Sequence, residues 1–414
     1  MYLTETKRLS STTSRRILTI EYCLLQGVYW IVSAAAMDFA ATPLLRERGF
    51  SSISIGIISG AKFLSLMFFQ YFIGKFADSH KDRISLKKIV SILTVIAIIA
   101  TLAMIFLPNS FLLALVVFVI FGATINCILP LIESLSIDYM SGGMQMNYTL
   151  SRATGSFTYC VFAYLLGIWT GKLGMDFSLV FLAVMLVIFG VINLMMPAPL
   201  AIHIDKNTVE VHSTGWIIRN CRKYRWFLIE CFFIFLGYDM NIAFLYDRVK
   251  DIGGTNAEYG LVFSMIGIFE IPVALVFNRL LRIKGMSIEL LIAGFGIFCT
   301  ARAFFTTIST NMTAMIMSQA FELLGMGVFY AGSVYLVMKT VPEADSTKGM
   351  SLINLFAVGA AEAVAFFVSG IIRDSLGVMP LMYISCVVSA VGIFAGIRMR
   401  SIGTIKTVTE RRLQ

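Results

Sequence analysis

The stretch richest in candidate chemistry runs from Ile125 to Tyr159 and reads INCILPLIESLSIDYMSGGMQMNYTLSRATGSFTY. It places Glu133 and Arg152 in two apolar helices that are joined by a short polar, Gly-rich link. At 1.5 Å per residue, both charges lie roughly 8–10 Å inside the same membrane face. Charges at such depth are costly and are usually paired or turned toward a watery cavity. The two residues either form a structural ion pair or jointly hold a polar solute, and we adopt the second hypothesis.

Other ionisable side chains also interrupt apolar runs. Those we place well inside the membrane are six acids and three bases: Asp38, Glu133, Asp239, Glu270, Glu322 and Glu362, with Lys62, Arg152 and Arg302. Burial without a compensating cation favours the neutral form of a carboxyl group, so the surplus acids are expected to hold protons. A carboxyl that is protonated when buried and ionised when wet carries protons. This inventory therefore predicts proton coupling.

Several of these side chains have two interpretations. Arg302 and Glu322, on neighbouring helices, form either a functional pair or a static salt bridge. Asp38 either pairs with Lys62 or contacts the substrate. Trp30, in the middle of the first helix, either stacks on the apolar face of a sugar or packs in the core. We assign substrate roles to Asp38 and Trp30 as hypotheses.

Cofactor and enzyme chemistry find no support in the sequence. The seven cysteines fall in apolar spans or the central loop without a CxxC pair, which argues against a metal site. The three histidines fall in predicted loops, and no HExxH, nucleophile or phosphate-binding motif is present. We therefore expect no metal, no cofactor and no enzymatic activity.

The composition sets the class of protein. Of 414 residues, 58% are hydrophobic and only 14% are charged, and the mean hydropathy is +0.84. Such a chain is predicted to be an all-α polytopic membrane protein, because no soluble domain hides so much apolar surface. Twelve runs are long enough to cross a bilayer: 17–45, 51–77, 84–107, 110–139, 147–171, 177–197, 226–248, 257–282, 287–308, 311–340, 346–373 and 378–400.

Basic residues cluster before helix 1, in the links between helices 2 and 3 and between helices 8 and 9, in the central linker, and after helix 12. By the positive-inside rule both termini are cytoplasmic. The net charge of +9 is thus an orientation signal in a lipid bilayer and requires no nucleic acid. We expect a multi-pass protein of the cell (inner) membrane.

The spans divide into two sets of six. We predict a six-helix bundle at 1–197, a cytoplasmic linker at 198–225, a second bundle at 226–400 and a tail at 401–414. Short basic links follow helix 2 (74–88) and helix 8 (278–287), at corresponding places in the two halves. Such parallel repeats, with a site between them, are typical of rocking transporters.

The link between helices 2 and 3 resembles a known family signature. Gly74 and Asp78, followed by basic residues, resemble the signature of the major facilitator superfamily, although Ser79 stands where that signature usually has a base. The resemblance implies a gating role for Gly74 and Asp78. It also implies the major facilitator fold of two six-helix bundles.

A narrower resemblance extends over most of the chain. Asn126-x-x-x-Pro130-x-x-Glu133, followed by Arg152-x-x-Gly155, looks like helices 4 and 5 of the oligosaccharide–proton symporter family, which includes the lactose permease. Further matches are Gln70 on helix 2, Tyr238-Asp239 on helix 7, Glu270 on helix 8, Arg302 on helix 9 and Gln319-x-x-Glu322 on helix 10.

The resemblance implies roles for individual residues. Glu133 and Arg152 would grip sugar hydroxyls, Tyr159 would stack on the ring, and Glu270 would add a further sugar contact. The proton-coupling group would comprise the residues Arg302, Glu322 and Asp239.

This chain departs from the permease at four positions. Glu322 stands where the permease has a histidine, and Gly325 stands where it has its proton-carrying glutamate. Val358 replaces a lysine that pairs with the helix 7 aspartate, and Val273 replaces an asparagine that contacts galactoside. The last change argues against lactose itself as the substrate.

The sequence thus predicts a secondary transporter that imports a sugar or oligosaccharide with a proton by alternating access. Its partners would be a sugar-like small molecule, protons and lipid. Alternative hypotheses are transport of another small polar solute such as a nucleoside or an aromatic or organic acid, drug efflux, or a nutrient sensor that transports nothing.

Overall fold

The structure is a computed structural model that describes residues 2–80, 84–106, 110–141, 144, 146–197, 212–342 and 345–402. Within these ranges the chain is helical and contains no β-strand. The α-helices are α1 (Tyr2–Ser33), α2 (Thr42–Glu47), α3 (Ser52–Ser79), α4 (Leu86–Phe106), α5 (Phe111–Ser141), α6 (Tyr148–Leu173), α7 (Phe177–Met195), α8 (Thr214–Asn220), α9 (Arg222–Ala243), α10 (Leu245–Asp251), α11 (Asn256–Leu280), α12 (Ile288–Ile308), α13 (Met312–Ser318), α14 (Met326–Thr340), α15 (Ser346–Leu352), α16 (Ala361–Leu376) and α17 (Val378–Ser401).

In the described part of the chain, ten helical stretches are long and apolar enough to cross a membrane. Helices α6 and α11, with 26 and 25 residues, are not among the ten. They carry Arg152 and Glu270, two of the charges singled out in the sequence. With these two helices the architecture is consistent with the predicted twelve spans, and the all-α polytopic fold is confirmed.

Three spans change helix type at places that matter for the site. A π-helical segment, Ala34–Phe39, continues α1 and carries Asp38. A 3₁₀ segment, Gln319–Leu323, joins α13 to α14 and carries Glu322. A second π-helical segment, Ile353–Ala360, precedes α16. Such interruptions loosen the regular backbone ladder and occur frequently at functional sites.

The chain forms two compact units. Unit 1 comprises Met1–Lys206, Ala243–Ile268 and Phe366–Ser375, and unit 2 comprises Asn207–Ile242, Phe269–Ala365 and Leu376–Gln414. This grouping does not follow the chain order, because pieces of α10, α11 and α16 pack with the N-terminal helices. The predicted boundaries at 197 and 226 therefore stay a prediction, and residues 198–211 and 403–414 of the predicted linker and tail lie outside the described residues.

Each unit has its own apolar core. In unit 1, side chains of α1, α4, α5 and α7 pack together, among them Tyr22, Leu25, Ile132 and Phe189. In unit 2 the core is built from α9, α12 and α14 and includes Phe227, Phe295 and Phe329. These two cores fix the helix faces from which the polar side chains project.

Candidate functional site

Arg152 of α6 lies against Trp30 of α1. Its guanidinium carbon is 4.4 Å from the indole centroid, a cation–π contact. Gly155, one turn along α6, makes the approach possible, because a Cβ there would lie 2.3 Å from Trp30 Cδ1. Arg152 Nη1 and Trp30 Nε1 are buried and have no hydrogen-bond partner within the described ranges. The pair therefore presents two unused donors beside an aromatic face.

Glu133 of α5 completes this group. It is half-buried, interacts electrostatically with Arg152 and is hydrogen-bonded to the hydroxyl of Tyr148. Tyr29 is close enough to feel both charges. The structure thus brings together the acid and the base that the sequence placed at matched depth, and it adds two tyrosines.

Tyr159 and Asp38 form a second polar pair in unit 1, beside Trp30. The Tyr159 hydroxyl donates to Asp38 Oδ2 at 2.8 Å, and its ring meets Trp30 edge-on at 6.1 Å between centroids. Asp38 is buried, and its backbone carbonyl accepts from Tyr259 at 3.0 Å. Lys62, only 1% exposed, interacts electrostatically with the Asp38 carboxylate. Unit 1 therefore holds two polar groups, one with Arg152 and one extending from Tyr159 to Lys62, and the Trp30 ring contacts both.

A second group occupies unit 2. Arg302 of α12 and Glu322 of the 3₁₀ segment are both completely buried, with Nε and Oε1 separated by 3.1 Å. The two atoms are within ion-pairing distance, yet their geometry does not satisfy a hydrogen bond. The pair is therefore held by charge more than by directed bonding, which leaves the carboxylate able to change partner.

Two neutral side chains surround this ion pair. Tyr238 of α9 lies under the guanidinium, whose carbon is 4.2 Å from the ring centroid, and its hydroxyl hydrogen-bonds with Glu322. Gln319 accepts from Arg302 Nη1 at 3.2 Å, and its amide nitrogen donates to Met315 O at 2.8 Å. These contacts hold the guanidinium in one orientation.

The remaining predicted residues are distributed as follows. Asp239 of α9 is half-buried and interacts with Arg302 and Glu362. Glu270 of α11 is half-buried and interacts with Tyr238. The three residues predicted for proton coupling thus share one polar cluster in unit 2, with Glu270 beside it. Gly74 is half-buried in α3, and Asp78 belongs to the same helix, but its side chain is outside what the structure describes.

Sequence reasoning gave no site role to several residues that touch these groups. In unit 1 they are Tyr29, Lys62, Tyr148 and Tyr259, and in unit 2 they are Tyr238 and Gln319. Lys62 was noted as a base, and Tyr238 and Gln319 were noted in motifs. A polar or phenolic side chain inside an apolar run was the available signal. Aromatic residues are too common in membrane spans for that signal to select the right ones.

An ion cluster joins three helices of unit 1, α2, α10 and α16. Asp247 of α10, 5% exposed, accepts from Arg46 Nη2 at 2.8 Å and from Arg373 Nε at 2.7 Å. Tyr246 donates to Glu47 Oε1 at 2.7 Å. The cluster joins segments from both halves of the sequence, on the face predicted to lie outside the cytoplasm.

We predict that Asp247→Asn loosens the contact between these three helices. The substitution leaves two arginines without their shared carboxylate, a loss of about 2 kcal/mol for charge-assisted bonds, which corresponds to roughly thirtyfold faster opening. Amide hydrogen exchange over residues 245–251 should accelerate accordingly. Asp251→Asn, an exposed aspartate on the same helix, is the matched control and should change little. Equal amide hydrogen exchange in both variants would mean that Asp247 does not hold these helices together.

Charged clusters inside a helical membrane protein commonly mark a pathway for a substrate or an ion. Together with the family match that follows, they identify a membrane transporter of the major facilitator type. The chain belongs to the MFS_1 like family, whose profile matches residues 22–384. No curated protein sequence matches it.

Solved structures share the fold at low sequence identity. The nucleoside transporter NupG matches with a TM-score of 0.76 and 17% identity, covering 93% of this chain and 100% of that one. A bacterial homolog of the human lysosomal transporter Spinster, inward-facing and unoccupied, gives a TM-score of 0.68 and 14% identity, with coverages of 94% and 97%. An auto-inhibited POT family peptide transporter gives 0.69 and 10%, with coverages of 94% and 98%.

Proposed function

We propose that the protein imports a sugar or oligosaccharide together with a proton, by alternating access. The observation that carries this proposal is Arg152 stacked on Trp30 beside Glu133. Sugars combine hydroxyl groups with an apolar ring face. A guanidinium and a carboxylate bind the hydroxyls through charge-assisted hydrogen bonds, and an aromatic ring covers the apolar face.

Each group of side chains has a role in this proposal. Substrate contacts come from Trp30, Asp38, Glu133, Arg152, Tyr159 and Glu270. Arg302, Glu322 and Asp239 handle the proton, and Gly74 and Asp78 belong to a gating motif. These assignments agree with the oligosaccharide–proton symporter family, to which we assign the protein as a hypothesis. The protein would lie in the cell (inner) membrane as two six-helix bundles with cytoplasmic termini.

The proposed cycle follows from charge and burial. Glu322 or Asp239 takes up a proton from outside, which reduces the number of buried charges. Sugar then binds at Arg152 and Glu133 and favours closure toward the outside. When the site opens to the cytoplasm, water reaches the carboxyl groups and the proton leaves. Sugar and proton drive the cycle because each binds one state more tightly than the other.

A nucleoside is the second candidate substrate. The structural likeness to the nucleoside transporter NupG supports the fold, and the Trp30 indole offers a face for a base. A nucleoside also carries ribose hydroxyls for Glu133 and Arg152. The two candidate substrates predict different results: sugars should stabilise the protein in the first case and ribonucleosides in the second.

The test begins with a thermal-shift panel of mono- and disaccharides and ribonucleosides. A compound that stabilises the native protein but not Arg152→Ala identifies both the substrate class and the site. That compound is then offered to proteoliposomes whose interior is more alkaline than the medium. We expect uphill accumulation, alkalinisation of the medium, and collapse of accumulation when nigericin dissipates the pH gradient.

Controls separate the outcomes. Empty liposomes give the leak, and Arg219→Ala, a change at an exposed arginine of α8, should transport normally. Uptake that reaches only equilibrium and ignores nigericin would reject proton coupling. Stabilisation by ribonucleosides but not by any sugar would replace the first substrate class by the second.

A further inference from the structure

Glu230 of α9 is a buried acid that the proposed cycle does not use. Its exposed fraction is 0%, and neither carboxylate oxygen has a hydrogen-bond partner among the described residues. No lysine or arginine in the described part of the chain forms an ion pair with it. Among the described residues, the titratable groups that interact with it electrostatically are the thiols of Cys231, on the same helix, and Cys299 of α12. A carboxyl group in such surroundings requires a physical explanation.

Glycines from two other helices enclose this carboxyl group. A Cβ on Gly396 of α17 would lie 2.3 Å from Glu230 Oε1, and one on Gly296 of α12 would lie 3.6 Å from the same atom. A Cβ on Gly392 would lie 3.0 Å from the Glu230 backbone oxygen. Helix α9 therefore packs closely on α12 and α17, with the carboxyl between them.

This packing restricts what can neutralise the group. A metal cation needs several oxygen ligands around it, and a buried water needs two to four polar partners. The described neighbours of the Glu230 oxygens include no polar group that hydrogen-bonds to them. An ionised carboxylate left alone at this depth costs several kcal/mol. A proton neutralises it and requires no additional space.

We propose that Glu230 is a proton-binding site: it holds a proton while α9 packs on α12 and α17, and it releases the proton when these helices separate enough to admit water. The packing of three helices is thereby linked to the charge of one carboxyl. Separation without water leaves the acid neutral, and ionisation without separation is too costly.

Cys299 connects this site with the ion pair of unit 2. It interacts electrostatically with Glu230 and also with Arg302 and Glu322. The Glu230 site and the ion pair are therefore within electrostatic range of the same thiol. A role of Glu230 in transport rests on the proposed proton coupling, whereas the presence of its proton does not.

Infrared difference spectroscopy tests the proton directly, on the full-length protein in lipid at neutral pH. The carbonyl stretch of a protonated carboxylic acid should lose the signal of one group in Glu230→Gln and shift in heavy water. Glu289→Gln is the matched control, because Glu289 is paired with Lys223 at 3.0 Å and Lys339 at 2.8 Å. That variant should lose carboxylate bands instead. An unchanged acid band in Glu230→Gln would overturn the proposal.

A second variant covers a failure of the first to fold. Glu230→Asp keeps an acid, so its band should move instead of disappearing, and a band that stays in place would count against the assignment. The transport arm uses the substrate found above. Glu230→Gln cannot release a proton, so uphill uptake should fall roughly tenfold or more, a change worth about 1.4 kcal/mol, while exchange at equilibrium persists.

The infrared and transport measurements distinguish the Glu230 proposal from the proposed symport. An acid band without any proton-coupled uptake in the native protein would support the Glu230 site and reject the proposed symport. Coupled uptake that is unaffected by Glu230→Gln would remove Glu230 from the transport cycle.

Discussion

Glu322→Gln should destabilise the protein more than Arg302→Met, although each removes one partner of the same ion pair. An arginine guanidinium stays charged at all physiological pH values, so Glu322→Gln leaves a buried cation without its carboxylate. Loss of one partner from a buried pair costs about 3–5 kcal/mol. In Arg302→Met the remaining carboxyl can take up a proton and become neutral, so the loss is smaller.

Thermal unfolding of the two single variants and of the double variant provides the measurement. The double variant removes both charges, so it should be more stable than Glu322→Gln alone, a non-additivity expected for residues in contact. Arg219→Met, at an exposed position, controls for the loss of an arginine. A smaller effect of Glu322→Gln than of Arg302→Met would mean that Glu322 is already neutral in the native protein.

The same variants are expected to lose uphill transport. Glu322→Gln cannot ionise, and Arg302→Met removes the cation that stabilises the charged form of Glu322. In both variants the side chain at position 322 stays neutral through the cycle, as an amide in Glu322→Gln and as a protonated carboxyl in Arg302→Met, so the pH gradient no longer drives accumulation. Uptake in proteoliposomes that still responds to nigericin in both variants would remove this pair from the coupling mechanism.

Arg152→Ala should abolish substrate binding. The bound substrate would desolvate this half-buried charged group, so losing one member costs about 2–5 kcal/mol of binding energy, which corresponds to at least thirtyfold weaker binding. Calorimetric titration with the compound found in the thermal-shift panel measures the loss. Because Arg152 is only half-buried, the unfolding temperature of the ligand-free protein should change much less than the affinity.

Two further variants separate the parts of this site. Arg152→Lys keeps the charge but loses the planar guanidinium that stacks on the indole, so most of the affinity should be lost. Trp30→Phe keeps a ring and loses the indole N–H, so it should weaken binding less than Arg152→Ala. Equal binding by the native protein and Arg152→Lys would mean that residue 152 contributes only its positive charge and that the planar guanidinium is not needed.

Much of the architecture was predictable because it depends on local composition. Long apolar runs must form helices in lipid, since every backbone polar group needs a partner within its own segment. Ten spans meet that criterion in the described part of the chain, and the two that do not, α6 and α11, carry the charges Arg152 and Glu270. The hydropathy pattern could not foresee the π-helical segments at Asp38 and before α16, because these depend on packing against neighbouring helices.

The charged residues of the candidate site could be predicted from the sequence, but the residues that contact them could not. Glu133, Arg152, Arg302 and Glu322 stand out because a charge in an apolar run is rare and costly. Their contacts with Trp30, Tyr148 and Tyr238 depend on helix rotations that the sequence pattern does not encode. Glu230 was overlooked for a related reason. Near the start of α9 it resembles a residue that reaches water, whereas in the structure the glycines of α12 and α17 enclose it.

The sequence by itself determined that this is a helical chain for a bilayer with charges placed inside its apolar spans, and the major facilitator type was indicated by a family resemblance. Those properties follow from which residues occur and how far apart they lie. Only the tertiary structure decided which charges meet. Asp247 bonds to Arg46, which is 201 positions away in the sequence, and to Arg373, which is 126 positions away. Ion pairs act over a few ångströms, and the approach of helices that are distant in sequence sets those distances.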